Sequence, residues 1–322
     1  MPRVAFATCT ELLVLDPDDE LLAQALRALG VEVVPLAWSD GQADWSSFDL
    51  VLVRSPWDYH LRRDAFVHWA ARVERETRLL NSAVTIAWNT DKTYLRTLAE
   101  QGVPTVPTAW VERVDAASSA APGDPPGADA GAAGGAPAAG AGRGAAPDLA
   151  ALLAARGWSD GEAIVKPSIG LGSSGLLRVA PGDPDGSGRR HLAELAEDGT
   201  AMVQPFIPSL PVAGELSLVF FERELSHVVR KRPAAGEFRV QPDFGAVTTA
   251  DEASPREREI AAQALACVAG DELLYARVDL VAGPADEVWL MELELVEPTL
   301  YFAAVPGSAE RFARLVAAAA GA

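Results

Sequence analysis

Over residues 3–88, short apolar runs at 4–7, 31–36 and 50–53 alternate with longer amphipathic stretches at 20–29 and 63–77. Runs of the first length suit buried strands and stretches of the second suit helices, so the pattern predicts a parallel sheet wound with helices. The turn after the first run reads Ala7-Thr8-Cys9-Thr10-Glu11 and carries no glycine fingerprint, which argues against a dinucleotide seated there.

The chain has 322 residues, enough for two or three packed units. Its formal charge is −18, and no block of lysine or arginine offers nucleic acid a surface for counterion release. Small-molecule chemistry is the expectation. Two cysteines, Cys9 and Cys267, argue against a disulfide framework and for a reducing cytoplasm, with both thiols expected as buried apolar groups. The first fifteen residues are apolar enough to resemble a secretion signal, but Glu11 interrupts them and no small-residue cleavage pattern follows. They are read as the first strand. No apolar run approaches the roughly 18 to 20 residues that cross a bilayer, so no membrane partner is expected.

Residues 116–146 are almost wholly Ala, Gly, Pro, Ser and Asp. So few large apolar side chains cannot offset the entropy of ordering, and a disordered surface insertion is expected. A helix follows over 147–156, then strands at 163–166, 176–179, 201–204, 216–221 and 225–230, with helices at 191–197 and 254–269. Ser254, Pro255 and Glu257 supply the last helix with a cap, a first-turn proline and a capping box. Segments 275–281 and 288–295, joined by Gly283-Pro284-Ala285-Asp286, read as a hairpin. Ser308 is expected to cap a closing helix that runs to residue 320.

Three features carry chemistry. Between two of the strands lies Lys166-Pro167-Ser168-Ile169-Gly170-Leu171-Gly172-Ser173-Ser174-Gly175, whose glycines and serines let backbone amides approach an anion beside a fixed charge. The alternative is a plain glycine-serine turn. In the terminal hairpin, side chains alternate faces, so Arg277 shares a face with Asp279 and Glu292 with Glu294. A turn centred on Ala285 and Asp286 sets Asp279 opposite Glu292 and brings three carboxylates together on an apolar sheet face. Unpaired they would repel, and magnesium bound to phosphate oxygens would relieve them; the alternative is ordinary surface charge. The third feature is Arg230-Lys231-Arg232 followed by Arg239, which answers either an anion or the nearby Glu222, Glu224 and Glu237.

In this order the features resemble the ATP-grasp superfamily, in particular its glutathione synthetase and D-alanine–D-alanine ligase branch. The segments Arg54-Ser55-Pro56-Trp57-Asp58-Tyr59, Trp88-Asn89-Thr90-Asp91-Lys92 and Met291-Glu292-Leu293-Glu294-Leu295-Val296-Glu297-Pro298 are similar to the O-ureido-D-serine cyclo-ligase family of D-cycloserine biosynthesis. The resemblance implies an α/β and α+β protein of ATP-grasp fold, in which a wound parallel sheet precedes two α+β lobes that clasp ATP. The expected domains are a wound N-terminal domain over 1–88, a lid lobe over 89–206 containing the insertion, and a C-terminal lobe over 207–322 with the metal site.

Carried over residue by residue, the resemblance implies that Lys92 and Lys166 contact the α- and β-phosphates while the loop of Ser168, Gly170, Gly172, Ser173, Ser174 and Gly175 closes over them. Gln204, Phe206 and Ile207 lie in the segment that reads adenine, or form plain strand core. Glu215 falls at the ribose hydroxyls, Lys231 at the γ-phosphate, Arg277 at the transferred phosphoryl group, and Arg239 on a mobile loop touching substrate or phosphate. Asp279, Glu292 and Glu294 fall at the metal, magnesium with manganese as a substitute, and Glu294 replaces an asparagine common in the wider branch. Arg54, Ser55, Asp58 and Tyr59 follow a parallel strand and are placed to hold an amino-acid-like substrate, or else form a structural turn with Arg54 paired to Asp58. The implied activity is ATP- and Mg2+-dependent formation of a C–N bond through an acyl phosphate. A small-molecule kinase of the same fold and a non-catalytic nucleotide-binding module are the rival readings. Homodimers are frequent in this branch.

Overall fold

The computed structural model describes residues 1–113, 148–270 and 272–321, so the expected insertion lies outside the described residues. The chain divides into two compact units, one of Met1–Val106, Ile169–Ser174 and Ile207–Ala322, the other of Pro107–Ser168 and Gly175–Phe206.

In the first unit the alternating pattern becomes β1 (Arg3–Thr8), α1 (Pro17–Ala28), β2 (Glu32–Ala37), β3 (Leu50–Ser55), α2 (Arg63–Glu76) and β4 (Leu79–Leu80). The strands lie in the order β2-β1-β3-β4 and every pair is parallel, as the alternation predicts. β3 is buried along its whole length, which is why its sequence is a continuous apolar run rather than an alternating one. Asp16 starts α1 by accepting from the Asp19 N–H at 2.9 Å, with Pro17 in the first turn. Leu22, Ala23 and Leu26 of α1 join Val4, Phe6 and Leu52 in one core; Phe66, Trp69 and Val73 of α2 join Ala5, Val51 and Val53 in another. α3 (Ala83–Asn89) and α4 (Tyr94–Glu100) follow.

The second unit contains β5 (Ala109–Val111), α5 (Leu149–Ala155), β6 (Ala163–Pro167), β7 (Leu177–Val179), α6 (Ser187–Asp198) and β8 (Ala201–Pro205). Its antiparallel sheet runs β5-β8-β6-β7. Leu149, Leu153 and Leu192 from the helices cover Ala163, Val165, Val179 and Val203 from the strands.

The first unit then resumes with α7 (Leu210–Ala213), β9 (Glu215–Phe221), β10 (Glu224–Arg232), β11 (Val247–Ala250), α8 (Pro255–Ala266), β12 (Tyr275–Ala282), β13 (Val288–Glu294) and α9 (Ser308–Ala319). These strands form an antiparallel sheet ordered β11-β10-β9-β12-β13. The capping box of Ser254 and Glu257 is present at α8. Two details differ from expectation. Gly307, at φ 84°, holds the cap position of α9, and the Ser308 hydroxyl donates instead to the Val305 carbonyl at 2.6 Å. Cys267 is half-buried, because the end of α8 leaves its thiol partly open.

β13 is an edge strand, and side chains from the segment around α3 and α4 close that edge. Asn89 donates to the Leu293 carbonyl and accepts from the Leu295 N–H, both at 2.7 Å, and the Tyr94 hydroxyl bonds both backbone groups of Leu293. Fully buried Asn81 donates to the carbonyls of Tyr275 and Leu295 and accepts from the Leu274 N–H. These bonds explain why the boundary expected after residue 88 falls inside the first unit. Among the described residues no helix is long and apolar enough to cross a membrane.

Candidate active site

Strand register assembles the site. Lys231 of β10 pairs with Glu215 of β9, Ser217 of β9 with Asp279 of β12, Asp279 with Glu292 of β13, and Arg277 with Glu294. The Asp279–Glu292 pairing is the one expected of the hairpin, reached across a register shift between Asp279 and Leu280. Period-two alternation puts all seven side chains on one face, where they form a polar seam across four strands. Along the strands the seam is bounded by apolar groups of the same face, Val219, Phe221 and Tyr275 on one side and Val281, which shares a core cluster with Ile207, on the other. Gly214, at φ 76°, leads the chain into β9 beside the Lys231 carbonyl; a Cβ there would lie 2.4 Å from that oxygen.

The seam's charges interleave. Lys231 Nζ contacts a Glu215 oxygen and lies 3.3 Å from Asp279 Oδ2. Asp279 also accepts from Ser217 Oγ at 2.6 Å and from Arg277 Nη2 at 2.9 Å. Arg277 reaches on to Glu294 and donates through Nη1 to the Thr299 carbonyl at 3.0 Å. Lys92 Nζ lies 3.1 Å from Glu292 Oε1 and donates to the Gly170 carbonyl at 2.5 Å. The expectation that the carboxylates repel one another until a metal arrives is therefore corrected: three cations, two of them remote in sequence, already lie among them.

Burial and neighbouring charges compete at Asp279, Lys231, Glu215 and Glu294, with different outcomes. It would raise the Asp279 carboxyl, but Arg277 and Lys231 together hold it well below the usual range. It would lower the Lys231 ammonium, which Asp279 and Glu215 instead hold above its usual range. At Glu215 burial prevails over Lys231 and raises the carboxyl. At Glu294 burial, reinforced by Glu292 and Asp279 and opposed by Arg277, pushes the carboxyl up to about 8.

Among the described residues no group of three or more His, Cys, Asp or Glu side chains forms a metal cage. Magnesium, however, is commonly held by one or two carboxylates together with substrate phosphates. Glu292 and Glu294, two apart on β13, offer hard oxygen donors that are partly exposed, at 28% and 20% of the side chain. The donor set fits a magnesium ion that shares its ligands with a nucleotide.

Other expected residues lie elsewhere. Arg239 pairs with Glu237 at 2.6 Å and sits 3.5 Å over the Phe244 ring, with no bond to the seam. Arg54 is 2% exposed, donates to Asp19 at 2.7 Å and to the Pro298 carbonyl, and does not pair with Asp58. Asp58 accepts from Trp38 Nε1 and Arg62 instead, and Ser55 is fully buried. Tyr59 is buried, with its hydroxyl raised by burial and by the Glu297 carboxyl, and burial pushes Glu297 up to about 7 against the pull of Lys92. Within the first unit's part of the glycine loop, Gly172 and Ser173 adopt positive φ and the Ser174 N–H bonds the Leu171 carbonyl. Ile207 is core.

The second unit carries Lys166, on β6 opposite Met202 of β8, and buried Ser168, whose N–H bonds the Thr200 carbonyl. Gln204 donates to Thr108 Oγ1 at 2.8 Å, and Arg178 stacks over the Phe206 ring at 4.0 Å. Gly175 takes φ 69° against the Pro167 ring. Sequence reasoning missed three residues of the first unit. Ser217 was accessible through its period-two relation to Glu215 and Glu297 stands in a segment similar to the cyclo-ligase family, whereas Tyr301, whose ring lies within 6.0 Å of Arg277 and Lys231, had no local signal.

Comparison with known proteins bears on the family and the fold. Residues 4–81 match the N-terminal domain of D-cycloserine synthetase DcsG, and residues 151–300 match the ATP-grasp domain of prokaryotic glutathione synthetase. The cycloserine biosynthesis protein DcsG of Streptomyces lavendulae is 33% identical over 98% of both chains. A crystal structure of D-cycloserine synthetase DcsG superposes with a TM-score of 0.80 at 30% identity, covering 99% of each chain. The ATP-grasp ligase PsnB, solved with a minimal precursor, Mg and ADP, shares the fold with a TM-score of 0.57 at 14% identity, covering 99% of this chain and 98% of PsnB. With a wound parallel sheet, an ATP-grasp domain and an end-to-end match of this kind, the chain belongs to the D-cycloserine synthetase family of ATP-grasp ligases.

Proposed function

We propose that the seam is the phosphoryl-transfer centre of this ATP-dependent C–N ligase and that its substrate is amino-acid-like, with ring closure of O-ureido-D-serine as the first candidate. The observation that carries the reading is the seam itself, where Lys92, Lys231 and Arg277 thread among Glu215, Asp279, Glu292 and Glu294. Transfer of a phosphoryl group to a carboxyl-type oxygen brings anion to anion, so fixed cations lower the barrier. Lys231 and Arg277 neutralise the group in transit, and Asp279 holds both of them in place. Glu292 and Glu294, with Asp279 behind them, would hold magnesium, which would supply charge neutralisation on the phosphates when bound. Manganese can substitute. Within the first unit Lys92 contacts the nucleotide phosphates, Ile207 the adenine and Glu215 the ribose.

The substrate oxygen takes the γ-phosphoryl group and ADP departs. The amine-type nitrogen then attacks the acyl carbon, phosphate leaves, and the nitrogen gives up a proton. The test is ADP release across a panel of amino acids that includes O-ureido-D-serine, with product masses. ADP and free phosphate together with a C–N-bonded product support the reading. ADP with a stable phosphoester would refute ligation and assign a kinase.

A further inference from the structure

The segment from Thr299 to Phe302 is pinned at several points. Buried Asp18 accepts from the N–H groups of Leu300 at 2.8 Å and Phe302 at 2.6 Å. The His227 ring bonds the Leu300 carbonyl at 2.7 Å, and Arg277 bonds the Thr299 carbonyl. Leu300 and Phe302 are both buried in the core shared with Phe312. Between them Tyr301 takes φ 55° and ψ 41°, a left-handed conformation that a bulky side chain rarely adopts. With its neighbours committed to the core, Tyr301 turns the other way. Its ring lies 5.4 Å from the Arg277 guanidinium carbon and 6.0 Å from Lys231 Nζ, within cation–π range of both.

Strain of this kind persists only where the surroundings enforce it, and it concentrates at functional sites. Here the enforcing groups are Asp18 and the core, and the consequence is an aromatic face set against the two cations of the seam. From this geometry we infer that Tyr301 is a positioning residue for the reaction, an aromatic backstop that fixes Arg277 and Lys231 where the phosphoryl group passes. The inference rests on the proposed roles of those two cations. The ring acts through its face. Its hydroxyl, raised above the ordinary tyrosine range chiefly by burial, is not ionised and adds no charge.

The test compares Tyr301→Phe, Tyr301→Leu and Tyr301→Asn by ADP release, with Arg277→Met alongside. Tyr301→Phe keeps the ring and is expected to retain kcat within about threefold, whereas Tyr301→Leu and Tyr301→Asn lose about thirtyfold in kcat, the scale of a desolvated cation–π contact, with little change in the KM for ATP. Asparagine tolerates the left-handed backbone, so Tyr301→Asn should melt above Tyr301→Leu and separate folding from turnover. Wild-type kcat in Tyr301→Leu while Arg277→Met is inactive would overturn the inference and leave the site reading intact. A Tyr301→Phe variant as impaired as Tyr301→Leu would also overturn it, by moving the role to the hydroxyl. Wild-type turnover in Arg277→Met would overturn the site reading itself, and this inference with it.

Discussion

Replacing Arg277 with methionine tests the electrostatics of the seam on stability, apart from catalysis. The side chain is buried, bonds Asp279 through two nitrogens, and contacts both Glu294 and the Thr299 carbonyl. Removing one partner of a buried pair typically costs about 3 to 5 kcal/mol, because the charge left behind is uncompensated. The lower figure applies here. Ser217 and Lys231 still hold Asp279, and Glu294, pushed up to about 8, is already largely protonated at pH 7. In the metal-free protein at pH 7 we therefore expect a loss of about 3 kcal/mol in urea unfolding.

The pH dependence gives a second, independent sign. A carboxyl raised on folding contributes stability below its unfolded value, and that contribution is lost as pH rises through the folded value. In the wild-type protein the loss attributable to Glu294 ends near pH 8, where it ionises beside Arg277. Without Arg277 its folded value rises further, so the variant keeps losing stability above pH 8. The gap from wild type should widen by about 1 kcal/mol per pH unit there. Adding Glu294→Gln to the variant should abolish the widening. A gap under about 1 kcal/mol at pH 7, or one that stays constant from pH 7 to 9, would refute the reasoning.

Two further outcomes follow from the same geometry. Glu292→Gln is expected to lower turnover at low magnesium and recover in part at high magnesium or with manganese; because Glu292 also pairs with Lys92, the metal-free variant should melt slightly lower than wild type, and unchanged turnover across the titration would remove Glu292 from the metal site. Asn81→Ala strands the Leu274 N–H and the Tyr275 and Leu295 carbonyls in the interior, so chemical denaturation should show a loss of about 2 to 4 kcal/mol, and a loss below about 1 kcal/mol would mean that those groups find other partners.

The parts of this protein legible in the sequence are those governed by short-range rules. Apolar alternation over residues 3–88 gave the parallel sheet, because a βαβ crossover leaves a local signature. Ser254 and Glu257 announced their capping box because its partners are three residues apart. Strand alternation put Arg277 on a face with Asp279 and Glu292 on a face with Glu294, and the expected pairing of Asp279 with Glu292 is present, although it is reached through a register shift between Asp279 and Leu280 that the turn position did not contain.

Tertiary structure decided who neutralises whom. Lys92 meets Glu292 across two hundred positions of sequence, and Arg54 turns to Asp19 instead of Asp58. Asn81, Asn89 and Tyr94 close the edge of β13 through backbone groups, which carry no identity in a sequence. Tyr301 reaches the seam only because Asp18, nearly three hundred residues earlier, holds the backbone on both sides of it. The physical reason is common to all four. A charge or a polar side chain can be counted from the sequence, but its partner is fixed by burial, which forces each polar group to find the nearest complement that the packed chain supplies.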